Sequence, residues 1–124
     1  MTYAAYKKTM VDQITTNNEE IMVKLYNAML VKIQQAKINF ESGEKFLAQE
    51  DTLHAMKINL ALMDNLNMED GGEVVIHLQR LYGYTISEMS EANRSDNPIE
   101  HLDNAKRVLD ILHKSWIELA KRTR

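Results

Sequence analysis

Residues 17–43 read NNEEIMVKLYNAMLVKIQQAKINFESG, and this stretch decides the fold. Asn17 can cap a helix start, and Glu20 three residues on can bond back to it. Met22, Leu25, Tyr26, Met29, Ile33, Ala36 and Phe40 then recur at spacings of three and four. That period lays one continuous apolar face along about five helical turns. Ser42-Gly43 stops it, since glycine tolerates the left-handed turn that closes a helix. A helix this long with a single apolar face needs partners of similar length to cover it.

The rest of the chain supplies them. A second helical pattern runs from about 44 to 66 and ends at Asn67. Asp70-Gly71-Gly72-Glu73 again combines cap, loop and early carboxylate. The third pattern, 71–93, carries Val74, Leu78, Leu81, Tyr82, Met89 and Ala92 on its inner face. Asn97-Pro98-Ile99-Glu100 starts the fourth, 97–121, with Pro at the first helical position. Its face is Leu102, Ala105, Leu109, Leu112 and Trp116. Short loops between long helices force antiparallel neighbours. The expectation is an all-α fold: one domain over 1–124, an antiparallel up-down four-helix bundle. Residues 1–16 form an N-terminal tail with Tyr3, Tyr6, Met10 and Ile14 at spacings of three, four and four, expected to pack across the bundle.

Composition excludes several functions. Hydrophobic residues make up 44% and charged residues 27% of 124, as in ordinary globular domains rather than disordered chains. The longest apolar runs, Ala28 to Val31 and Leu60 to Met63, fall far short of the ~20 residues of a membrane helix. No secretory signal pattern opens the chain, so a soluble cytoplasmic protein is expected. Cysteine is absent, which removes disulfides and thiolate chemistry. The net charge of −3 argues against nucleic acid. The basic cluster Lys114, Lys121, Arg122 and Arg124 suits the negative end of a helix dipole.

Catalytic patterns are also missing. Gly71-Gly72 lacks the spacing of a phosphate loop, and no G-x-S-x-G elbow occurs. Asp51 with His54 and Asp110 with His113 make two D-x-x-H pairs. A di-iron bundle needs an inward carboxylate on every helix, and the inner face of the first is apolar from Met22 to Ala36. No catalytic residue, metal or cofactor is expected. His54-Ala55-Met56-Lys57 is similar to the H-x-x-K core of histidine phosphotransfer domains, with Ile58 where those domains usually have Gly. A phosphotransfer domain using His54 is the alternative reading.

The informative feature is surplus hydrophobicity. The second helix has two apolar stripes: Leu53, Met56, Leu60 and Met63, expected to face the bundle, and Ala55, Ile58, Leu62 and Leu66, expected to be the surplus. Val31, Ile38, Ile76, Tyr84 and Ile111 add to the excess. Two readings follow with equal weight: an exposed patch of roughly several hundred Å², the size that marks an interaction surface, or a broad arc buried at a bundle corner or beneath the N-terminal tail. The expected partner is a helix laid in a groove.

The motifs, in order, resemble the flagellar secretion chaperone FliS family. They are Tyr3 and Tyr6, Leu25-Tyr26-Asn27-Ala28, Gly71-Gly72-Glu73, Leu81-Tyr82-Gly83-Tyr84, Ala92-Asn93 and Trp116. Asn27-Ala28 stands where the family usually has Asp-Gly, and Asn18 where it often has Pro. The resemblance implies a cytoplasmic helical bundle without catalytic activity. Such a protein binds the C-terminal segment of flagellin, prevents its premature polymerisation and helps deliver it to the flagellar type III export apparatus. A co-chaperone and export-gate components are further partners it implies, and the tail can occupy part of the flagellin groove. Helical geometry then nominates the contact residues: Ile58 and Leu62 from the surplus stripe, Ile76 and Tyr84, and Tyr6, Met10 and Ile14 from the tail. Tyr26 is nominated as contact or core, and Leu25, Leu81, Tyr82 and Trp116 as core. The free protein is expected to be a monomer or weak homodimer.

Overall fold

The computed structural model describes residues 19–64 and 72–123. Four helices follow one another: α1 Glu19–Glu41, α2 Lys45–Asp64, α3 Gly72–Ala92 and α4 Pro98–Thr123. The tail stripe Tyr3, Tyr6, Met10 and Ile14, the caps Asn17 and Asp70, and the side chains of Val74 and Trp116 lie outside the described residues.

Local chemistry explains the helix ends. Gly43 has φ of 80°. Its N–H donates to Phe40 O and that of Glu44 to Asn39 O, the paired bonds of a Schellman stop. Pro98 opens α4 where its missing N–H is harmless, and the Asn97 side-chain amide donates to Glu100.

Each helix packs on the next, and α1 closes the ring on α4. Polar contacts at one end of the bundle show the directions. The Asn39 amide near the end of α1 donates to Asp51 near the start of α2, at 2.7 Å. Gln49 of α2 and Asn93, just past α3, exchange side-chain-to-carbonyl bonds of 3.1 and 3.2 Å. Glu88 late in α3 meets His101 early in α4 at 2.7 Å, and Lys37 late in α1 meets Asp103 of α4 at 2.6 Å. All four seams are therefore antiparallel and tied at this end.

The core holds Met22, Tyr26, Met29, Ile33 and Ala36 of α1, Leu78, Tyr82 and Met89 of α3, and Leu102, Ala105, Leu109 and Leu112 of α4. Leu25 and Leu81, expected as core, are half-buried and pack against it. Tyr26 and Tyr82 meet across the diagonal with their hydroxyls hydrogen-bonded. The His113 ring stacks on Tyr26 at 5.8 Å and 14°.

The second helix reverses its expected orientation. Its buried residues are Ala48, Thr52, Ala55, Asn59 and Leu62, whereas Leu53 and Leu60 are 49% and 46% exposed. The stripe expected to be surplus supplies the core residues Ala55 and Leu62, and the one expected inside supplies the exposed Leu53 and Leu60, with Met56 and Met63 half-buried against the core. The polar residues explain the reversal. Thr52 satisfies its hydroxyl on Ala48 O at 2.8 Å, and the Asn59 amide donates to Thr85 Oγ1 across the α2–α3 seam. Once bonded, such small side chains bury at little penalty and let the helices approach closely.

Candidate partner-binding face

Thr52 and Asn59 turn inward, so the outer surface of α2 carries the large apolar residues Phe46, Leu53 and Leu60, seven apart. At about 100° per residue, seven positions return to nearly the same direction, so the three form one line. Gln49, which reaches Asn93, fixes the α3 side of α2, and the line lies on that shoulder. Below it, Met56 and Met63 are half-buried against the core on the same seam.

The facing shoulder of α3 carries Ile76, Gly83 and Ser90, again seven apart, with Ile86 half-buried beneath them. The bonds Gln49–Asn93 and Asn59–Thr85 set the antiparallel register. That register puts Leu60 level with Gly83 and Leu53 level with Ser90. Along this seam the half-buried Met56, Met63 and Ile86 are flanked by the exposed leucines of α2 and by Gly83 and Ser90 of α3, an apolar strip referred to below as the channel.

The nominated contact residues distribute unevenly. Ile76 is 46% exposed and lies on the channel's rim. Tyr84 is also exposed, but it lies one turn from Glu88, which bonds α4, and so occupies the other shoulder of α3. Ile58 is half-buried toward α1, one turn plus three residues from Asp51, which bonds Asn39. Leu62 is fully buried, which corrects its nomination as a contact residue, and Tyr26, nominated as contact or core, is fully buried in the core. Leu62 faces inward with Ala55 and Asn59, and Tyr26 is engaged with Tyr82 and His113. Tyr6, Met10 and Ile14 lie outside the described residues. Leu53 and Leu60 were assigned to the bundle-facing stripe, because hydrophobicity along one helix does not tell whether its polar neighbours can be satisfied inside, and Phe46 was not singled out.

His54 is exposed on α2, and Lys57 after it is exposed too. Among the described residues no three His, Asp or Glu side chains converge on a point where a metal ion could sit. None of the described helices is long and apolar enough to cross a membrane.

Comparison with known proteins says which family shares this sequence. The model of the flagellar protein FliS family matches residues 1–123. The chain belongs to the FliS family. A FliS relative, the flagellar secretion chaperone FliS of Vibrio cholerae serotype O1 (strain ATCC 39315 / El Tor Inaba N16961), is 26% identical over 117 residues. That match covers 93% of this chain and 85% of the relative. The FliS motif Leu81-Tyr82-Gly83-Tyr84 thus spans core, channel and outer shoulder in four consecutive residues.

Proposed function

We propose that this protein is a flagellar export chaperone that holds the C-terminal segment of flagellin in the bacterial cytoplasm. The observation that carries the reading is the outward leucine line of α2, in a chain of the FliS family. A helix that buries Ala48, Thr52, Ala55 and Asn59 while exposing Phe46, Leu53 and Leu60 is not arranged for the free bundle alone. It is arranged to be covered from outside. The cargo lies in the α2–α3 channel and extends over Ile76 to Tyr84, with Met56 and Met63 as an adaptable floor. Covering the cargo's apolar face stops flagellin copies from associating before export, and the complex is then delivered to the type III apparatus. The cargo orders as it binds, which offsets part of the gain from burial and keeps release accessible.

Calorimetric titration with the last ~50 residues of flagellin, a length that reaches along several helices, tests this. Saturable one-to-one binding with a negative heat-capacity change is expected. Loss of that binding in a folded Leu53→Asp variant places the cargo on the channel. A parent protein that binds nothing at high micromolar peptide, or a phosphoryl group transferred to His54 from a phosphorylated response regulator, sinks the chaperone reading.

A further inference from the structure

Gly83 sits near the middle of α3, well inside Gly72–Ala92, where glycine weakens a helix relative to alanine. Packing within the bundle does not call for it. A Cβ built at Gly83 meets no atom of the described residues within 4 Å, and no positive φ is found there. The position lies on the channel-facing shoulder of α3, level with the exposed Leu60 and in line with the exposed Ile76. A glycine that the bundle does not use, placed beside an apolar channel, leaves room for something that comes from outside.

Resting on the flagellin reading above, we infer that Gly83 is the close-approach point at which a helical piece of the flagellin C-terminal segment crosses α3. The occupant is a helix and not a strand. The described surface is helical throughout, with backbone groups bonded internally, so it presents no sheet edge for an extended chain to pair with. What the channel presents is apolar side chains, Leu53 and Leu60 two turns apart, and an amphipathic helix matches that with one stripe at the same period. Helix axes approach to ~8 Å only where the contact side chains are small. Gly83 supplies that contact, so the cargo helix sinks to the Met56, Met63 and Ile86 floor and meets Leu60 along its side.

Gly83→Ala and Gly83→Leu variants of the full chain test the inference by thermal unfolding and by titration with the flagellin peptide. Both are expected to unfold at or above the parent's temperature, because the added side chain enters open space and favours the helix. Gly83→Leu is expected to weaken peptide binding at least tenfold, and Gly83→Ala to weaken it less. Unchanged or tighter binding by Gly83→Leu, with a parent that binds, overturns the close approach and leaves the chaperone reading standing. A lower unfolding temperature for Gly83→Ala also overturns it, because the glycine then serves packing within this chain, residues 1–18 included. A parent that does not bind removes the cargo itself, and both readings fall together.

Discussion

Two polar residues, the buried Asn59 and the half-buried His113, show how much a single side chain decides here. Asn59 is fully buried, its amide nitrogen bonded to Thr85 while Oδ1 has no partner among the described residues. Asn59→Asp keeps the shape, removes the donor and places a carboxylate in the core. It is expected to lower the unfolding free energy by about 3 kcal/mol or more at neutral pH, read from urea denaturation. His113 acts through its charge. Burial pulls its imidazole below the ordinary value of 6.5, against an upward pull from Asp110, and Nε2 has no hydrogen-bond partner among the described residues. The folded state therefore prefers the neutral ring. The stability this gives is fully present above pH 6.5 and is lost as pH falls through 6.5 toward the depressed folded value, because the unfolded chain binds the proton first. Between pH 7.5 and 5.5, roughly the window in which an unperturbed His takes up its proton, the parent's thermal midpoint is expected to fall more steeply than that of His113→Phe. The substituted ring keeps a stack on Tyr26 without a titrating nitrogen. Equal slopes count against this account of His113.

At the scale of elements, the turn after α1 is the most sharply specified local feature. Gly43 at φ 80° lets the Glu44 N–H reach Asn39 O at 2.8 Å. Any other residue there carries a Cβ into a left-handed conformation, so Gly43→Ala is expected to destabilise by about 1 kcal/mol in denaturant titration, although the space around it is open. This turn was legible in Ser42-Gly43, as were the start of α4 in Asn97-Pro98-Ile99-Glu100 and the apolar faces of α1 and α4, where large residues recur without polar rivals. The orientation of α2 was not legible. Its inward residues are small or polar, and its outward ones are large and apolar. A pattern read by hydrophobicity therefore points the wrong way by about a third of a turn. Only the position of Thr85 on the neighbouring helix makes Asn59 a core residue, and a periodicity read along one helix contains no information about hydrogen bonds across a seam. The same blindness hid Leu53 and Leu60 from the candidate site and put Leu62 in it. By contrast Val31, Ile38, Ile76, Tyr84 and Ile111 were read correctly as exposed surplus, because each lies opposite an unambiguous core stripe.

For the molecule as a whole, the same chain must stay folded alone and still keep an apolar face open. The bundle divides these tasks between residues two positions apart. Leu62 is fully buried and belongs to the core that holds α2 in place. Its truncation alone removes about 2–5 kcal/mol, and a buried unpaired carboxylate adds several more. That total rivals the entire stability of an ordinary domain, about 5–15 kcal/mol. Leu62→Asp is therefore expected to be largely unfolded by circular dichroism at room temperature. Leu60 sits half-exposed on the channel wall, so a carboxylate there stays in water and the bundle keeps its contacts. Leu60→Asp is expected to change stability by no more than about 0.5 kcal/mol while abolishing measurable flagellin-peptide binding. The pair discriminates between two accounts of the outward leucines. If Leu60→Asp unfolds the protein as Leu62→Asp does, the line Phe46, Leu53, Leu60 is a second core completed by the protein's own residues. If it folds and loses only the peptide, the line belongs to the partner, and the small, hydrogen-bonded interior of α2 is what allows a four-helix bundle to present it.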